Sequence, residues 1–569
     1  MKIKSLIQIF AVALSLGITA CDDEVEVNIP EVSAPVLVST TPENGSSSVR
    51  RGDITISLTY DKNVFFASSY VDQLDFTGGT LVSADVIGSS NTLTVNVNVP
   101  ERETQCTLTI PAGVVTGPND MPAPAVTLQF STVALDKSLV NPSAIPAAQN
   151  LYAYLLENFE VNTLSATMAK DGVNGVTGSW NTAGAEDVYA WTGKYPAINC
   201  FDYGHLYASP ANWIDYNDIT PVRDWWNNGG IVAAMWHWNV PTSGEAALST
   251  EETVIGSWDA LQLNSDAAKA VFARAAVGDR IVVQISDLGE GAQGSFKDGS
   301  SWAGLVDEAG TSYEYFDISG DSYALTLDAA TLAAVQANGL IISGQNYTIT
   351  GVTLEGVPGS EYNFYAEGND FDAANALVAG TWENEVYEAD MAEIIGYLTL
   401  LQNEGIPVLW RPFHEAAGGW FWWGKDAASF KALWIDMFNR FQQAGLNNLI
   451  WVWTSETGDD DWYPGDNYVD IIGRDLYGNA ADDCASQYAT LSGTYGNKMV
   501  ALSECGYGES TESTVGLISE QWAAGARWSW FMPWYDADDA TTFHSDEAWW
   551  KDAMDQEFVI SRDELPAWQ

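Results

Sequence analysis

Basic side chains are scarce in this chain: 23 Lys and Arg stand against 76 Asp and Glu, a formal net charge of −53 at pH 7. Such a field repels nucleic-acid phosphates, anionic lipid and acidic polysaccharides, which leaves an uncharged polymer as the expected partner class. Cysteine is scarce too, with five among 569 residues. Cys106, Cys200, Cys484 and Cys505 are widely spaced and form no CxxC or Cys/His ligand pattern, so neither a zinc site nor dithiol redox chemistry is indicated, and no required disulfide is expected. No metal and no cofactor are expected. Charged residues make up only 17% and apolar ones 46%, a balance too apolar for a disordered chain. An apolar run long enough to span a bilayer is also missing. The length exceeds what one hydrophobic core usually supports, so two to four domains are expected.

The first residues, Met1-Lys2-Ile3-Lys4 followed by a mostly apolar run to Ala20, have the layout of an export signal. Its end, Gly17-Ile18-Thr19-Ala20-Cys21, resembles the lipobox of bacterial lipoproteins, which implies lipidation of Cys21 and an anchor in the outer membrane. Asp22-Asp23-Glu24 is similar to the acidic run that directs many lipoproteins to the cell surface; a merely soluble acidic leader, or a periplasmic-facing protein, is the alternative. The membrane is then touched only through the lipid, and a monomer is expected.

Five segments follow from composition and periodicity. Residues 1–20 read as signal and the Pro-, Val- and Glu-rich 21–36 as a tether. Short alternating runs at 54–58 and 93–97, separated by Gly, Asn, Ser and Pro clusters, predict a small antiparallel β-sandwich over 37–133. The stretch 41–64 and the closing 110–114 resemble bacterial Ig-like domains, most of which act as spacers. From about residue 142 apolar strands alternate with amphipathic helices. Eight strands, at 164–169, 197–202, 230–237, 407–412, 449–453, 468–475, 499–504 and 527–532, predict a (β/α)8 TIM barrel with its site at the strand ends, built from 142–242 and 363–569. Residues 243–362 break the pattern with strand-like runs and read as an inserted β-sandwich, its segment 340–347 resembling carbohydrate-binding domains. Trp258 and Trp302 in it either stack on sugars or fill a core; the residues favour neither.

Two strands end in chemistry. The fourth runs into Trp410-Arg411-Pro412-Phe413-His414-Glu415, followed by Gly418-Gly419-Trp420-Phe421-Trp422-Trp423-Gly424. The seventh ends in Leu502-Ser503-Glu504. Two glutamates at one barrel mouth can supply the acid and the nucleophile of retaining glycoside cleavage, which needs carboxyls about 5–5.5 Å apart. Either alone could as well bond an arginine or a helix end. Glu456 and Asp475 are rival carboxylates for which subsite roles are expected.

The His414-Glu415 pair with its Gly-Trp-Phe-Trp-Trp-Gly tail, Met235-Trp236-His237 upstream and Leu502-Ser503-Glu504 downstream resemble glycoside hydrolase family 26, chiefly endo-β-1,4-mannanases. The resemblance covers the barrel without the insert. It implies that Glu415 is the acid/base and Glu504 the nucleophile. By the same likeness His414 orients the nucleophile side, Trp420 floors the subsite of the reacting sugar, Tyr477 hydrogen-bonds Glu504, and His237 and Trp534 complete that subsite. Trp382, Trp422 and Trp423 are candidates for more distant subsites. Ala416-Ala417 stands where the family often has Met-Asn, which leaves β-1,3-xylan and mixed-linkage β-glucan as alternatives to mannan. The rival from another class is a non-catalytic surface glycan-binding lipoprotein that uses its 25 tryptophans for capture.

Overall fold

A computed structural model describes residues 32–170, 179–204, 214–536 and 540–568. The expected signal, Cys21 and the tether up to residue 31 lie outside the described residues. The chain divides into two compact units, Met1–Val133 and Ala134–Gln569.

The first unit pairs two four-stranded sheets. One is ordered Leu37–Thr41, Gly52–Tyr60, Thr92–Val99, Thr80–Asp85, and the other Ser46–Val49, Val126–Thr132, Gln105–Ile110, Asp75–Thr77. Strict alternation decides which side faces in: Leu93, Val95, Val97 and Val99 are buried and the Thr and Asn residues between them are not. They meet Ile56 and Leu58 from the neighbouring strand and Leu108 and Ile110 from the opposite sheet.

The second unit holds eight parallel strands, β1 (Thr163–Met168), β2 (Ile198–Asp202), β3 (Ile231–Trp236), β4 (Val408–Pro412), β5 (Leu449–Thr454), β6 (Ile471–Tyr477), β7 (Met499–Gly506) and β8 (Trp530–Pro533). Each pairs with its successor and β1 pairs with both β8 and β2, so the sheet closes into a barrel. Every expected strand is present. Nearly every residue in them is buried, because helices cover one face and the barrel interior the other, and such strands read as continuous apolar runs. The helix Ala427–Gln443 shows how the outer ring is specified. Asp426 accepts from the Ser429 N–H at 2.9 Å, Phe430, Leu433, Trp434, Met437, Phe438 and Phe441 are all buried, and Gly445 leaves the helix at φ 80°.

Between β3 and β4 the chain builds a second sheet with its own core. Its spine is Leu340–Asn363, 24 residues long, which pairs with Thr253–Leu263 and then Val240–Ser249 along one edge, and with Gln293–Asp298 and then Arg280–Ser286 along the other. Ile281, Val283 and Ile285 alternate into a core shared with Phe296, Leu340, Ile342, Val352 and Leu354. The strands expected for the inserted β-sandwich are present and are linked through this one long strand, whose first half carries Thr253–Leu263 and Gln293–Asp298 and whose second half carries Val240–Ser249 and Arg280–Ser286. Two helices, Asp266–Phe272 and Ala329–Asn338, also belong to this segment.

Cys106, Cys200, Cys484 and Cys505 are free and buried. Among the described residues no helix is long and apolar enough to cross a membrane.

Candidate active site

The C-terminal ends of the barrel strands converge on one carboxylate cluster. Carboxyl oxygens of Glu415, Asp475 and Glu504 lie within 4.8 Å of one another. Glu504 sits on β7, Asp475 on β6, and Glu415 three residues past the end of β4.

The turn after β4 is strained. Phe413 and Glu415 adopt φ 49° and 51°, a left-handed conformation that costs a bulky residue about 1–3 kcal/mol. Surrounding packing holds it. The Trp423 indole N–H donates to the His414 carbonyl at 2.9 Å, the Trp422 indole to the Trp238 carbonyl at 2.7 Å, and both indoles are fully buried. Trp422 and Trp423 are therefore not distant subsites: they are the packing that aims His414 and Glu415. Trp382 is a second correction. It begins the helix Trp382–Asn403, is buried edge-on against Phe371, and lines the junction with the inserted sheet instead of the carboxylate cluster.

The other expected residues do meet. Trp420 is 44% exposed and its indole N–H donates to Glu415 Oε2 at 2.8 Å. The indole can lie there because Gly418 has no side chain; a Cβ on it would sit 2.1 Å from the Trp420 ring. The Tyr477 hydroxyl donates to Glu504 Oε2 at 2.7 Å, and His414 Nε2 stands 3.7 Å from Glu504 Oε1. The His237 ring packs edge-on to those of His414 (4.4 Å) and Trp534 (5.7 Å).

Sequence reasoning assigned no role to two residues that matter here. Arg411, buried inside the barrel on β4, ion-pairs with Glu504 and with Asp475, the latter at 2.9 Å. It also donates to Thr454 at 3.0 Å. Its signal was an arginine inside an otherwise apolar strand, where an unpaired charge is not tolerated. Asp202, the last residue of β2, accepts the His237 backbone N–H at 3.1 Å and faces its Nδ1 at 2.6 Å. A carboxylate there fixes the orientation of the ring through Nδ1 and directs Nε2 away from Asp202. Asp475, read as a rival carboxylate, is tied down by Arg411 and by the Ser503 hydroxyl at 2.7 Å.

Electrostatics separate the two glutamates. Burial, then the nearby Asp475 and Glu456 carboxylates, push the Glu415 pKa up to about 9, against which the Trp420 N–H and Arg411 pull more weakly. Glu415 is thus a protonated acid at neutral pH. Glu504 instead receives the Arg411 guanidinium and the Tyr477 hydroxyl, both of which stabilise a carboxylate. His414 is held neutral by desolvation, reinforced by His237 and Arg411. Glu456, beside Arg474 at 3.4 Å, is pushed up to about 7 by burial. Three clustered carboxylates could also hold a cation, but Arg411 already supplies the counter-charge to two of them.

Comparison with known proteins gives the same picture. The profile described as glycosyl hydrolase family 26 matches residues 140–293 and 354–564, passing over part of the inserted sheet, and the bacterial Ig-like domain profile matches 31–132. Mannan endo-1,4-beta-mannosidase A of Piromyces sp. is 32% identical over 234 residues, 41% of this chain and 36% of that protein. The mannan endo-1,4-beta-mannosidase of Thermothelomyces thermophilus is 36% identical over 217 residues, 36% of this chain and 42% of that protein. The chain thus spans well under half the length of these curated relatives. Among solved structures, the family 26 domain of an endo-beta-mannanase/endo-beta-glucanase from Prevotella bryantii is 32% identical with a TM-score of 0.51, covering 76% of this chain and all of that one. With an eight-stranded parallel barrel, glutamates after its fourth strand and on its seventh, and a profile match over most of its length, the chain belongs to glycosyl hydrolase family 26, preceded by a bacterial Ig-like domain.

Proposed function

We propose that the barrel is a retaining endo-β-1,4-mannanase acting on mannan, glucomannan or galactomannan. The observation that carries this reading is the carboxyl pair itself: Glu415 and Glu504 oxygens within 4.8 Å, one group protonated and the other stabilised as an anion. That spacing suits double displacement and is too short to leave room for the water of an inverting mechanism. The names of the curated relatives support mannan as the polymer, and the chain's charge favours a neutral one.

In the first step Glu504 attacks the anomeric carbon while Glu415 gives its proton to the departing glycosidic oxygen, so the C–O bond breaks as the glycosyl ester forms. Arg411 and Tyr477 hold Glu504 for that attack. In the second step Glu415, now a carboxylate of high proton affinity, takes a proton from water as the water oxygen displaces Glu504. Two inversions give net retention. Trp420 anchors Glu415 Oε2, which leaves Oε1 to carry the proton.

The test is reducing-sugar release from konjac glucomannan, galactomannan, β-1,3-xylan and lichenan by wild type, Glu415→Ala and Glu504→Ala, with the product anomer followed by NMR. Mannan cleavage with β-anomer formed first, lost in both variants, is the expected result. Cleavage confined to xylan or lichenan would move the substrate, and glycan retention without hydrolysis would make the chain a binding protein. We also propose display as a monomeric outer-membrane lipoprotein through Cys21. Radiolabelled palmitate that enters wild type and also Cys21→Ser would contradict the anchor, and light scattering reads the monomer.

A further inference from the structure

We propose that the outer face of the inserted sheet is a second glycan-binding site, which takes a neutral β-linked chain on the rings of Trp258 and Tyr315 with Gln293, Gln345 and Asp317 as hydroxyl partners. The ligand class rests on the function proposed above.

Trp258 and Tyr315 are 38% and 58% exposed and meet edge to face at 5.2 Å with perpendicular ring planes, forming one exposed aromatic corner beside Lys297, whose Nζ stands 5.7 Å from the Tyr315 centroid. A lone exposed aromatic needs no explanation, whereas a contiguous pair with polar neighbours is what a sugar ring requires. Those neighbours form a row. Ser257 lies opposite Gln345, Gln345 opposite Gln293, and Gln293 opposite Asp317, one register line across four strands. Four strands make the row about 14 Å long, enough for a stretch of chain and not merely one ring. Gln345 Nε2 donates to Gln293 Oε1 at 3.3 Å, and Gln293 Nε2 donates to Asp317 Oδ1 at 3.0 Å. Amides and a carboxylate so arranged offer hydroxyls both donors and acceptors.

Backbone conformation adds an independent argument. Trp258 occupies a bulge between Ser257 and Asp259 at φ 60°, and Trp302, 46% exposed on the same sheet's connecting loop, is also at φ 60°. Glycine would be more comfortable at both positions. A bulge re-aims a side chain, and a large indole kept in a strained and exposed position points to a role other than stability. The insert is also rooted beside the cleft. Val240 pairs with Asn363 at its base, and the next residue, Phe364, packs on His237 at 5.2 Å. A polymer held on this sheet is therefore tethered to the body that cuts it.

The experiment uses the full chain carrying Glu504→Gln, to prevent cleavage, in native gels containing konjac glucomannan, lichenan or β-1,3-xylan. It is run with and without Trp258→Gly and, separately, Tyr315→Ala. Each substitution should weaken retention by glucomannan at least fivefold, and Trp258→Gly should leave the melting temperature unchanged or raise it. In the catalytically intact chain the same substitutions should leave turnover of short soluble manno-oligosaccharides unchanged while slowing attack on insoluble mannan severalfold. Retention unaffected on every glycan overturns the proposal, as does a lower melting temperature for Trp258→Gly, which would make the indole structural. Loss of retention confined to lichenan or xylan, with no mannan cleaved by the wild type, would keep this site and remove the mannanase reading.

Discussion

Glu415 and Glu504 are the same residue type made different by what faces them. Because the Glu415 pKa is raised to about 9, the folded protein binds a proton there that the unfolded chain releases above the ordinary carboxylate range. Its burial therefore costs stability progressively as pH rises from that range to about 9. Two outcomes follow. The rate should fall as pH climbs through about 9, where the acid is lost, and Glu415→Gln should melt higher than wild type near pH 8 while losing activity on polysaccharide. A calorimetric pH series and a pH–rate profile read both. Asp202→Asn should lower kcat severalfold with little change in KM, because an amide facing His237 Nδ1 at 2.6 Å orients the ring less firmly than a carboxylate does. A change in KM alone would refute that positioning role. The glutamates were legible in sequence because each interrupts an apolar run with a charge. Trp382, Trp422 and Trp423 were not, since an indole that packs and an indole that stacks on sugar are the same letter.

Among the elements, those specified by local rules could be read directly. The helix Ala427–Gln443 carries its own cap and apolar stripe, so Asp426→Ala should cost about 1 kcal/mol in denaturant unfolding without touching kcat. Strand β6 behaves differently. A Cβ at Gly473 would lie 2.4 Å from the Ser503 hydroxyl, the group that donates to Asp475. Gly473→Ala should accordingly reduce activity severalfold at a modest loss of stability, and steady-state kinetics beside a thermal melt separate the two. Nothing local to β6 announces that constraint, because it arises from a neighbouring strand. The inserted segment was legible only in part for the same reason: strand-like runs reveal strands but not that one of them, Leu340–Asn363, carries different neighbours along its two halves.

For the whole molecule, separate cores in Met1–Val133 and Ala134–Gln569 lead us to expect two calorimetric transitions, and a chain that starts at residue 134 should keep the kcat/KM of the full chain on soluble substrate. A merged transition, or a large loss of activity on soluble oligosaccharide, would contradict that independence. The sequence by itself determined the charge that excludes acidic partners, the order of the domains, the eight barrel strands and the two glutamates. Each of these is written in composition, period or a charge out of place, and needs no knowledge of distant neighbours. Only the tertiary structure decided that Arg411 bridges Glu504 and Asp475, that Asp202 orders His237, that two of the tryptophans after Glu415 brace its turn, and that Trp258 and Tyr315 come together on an open face. Most of those relations join residues tens to hundreds of positions apart, and their physics depends on distances of a few ångströms that only the closed barrel and the paired strands bring about.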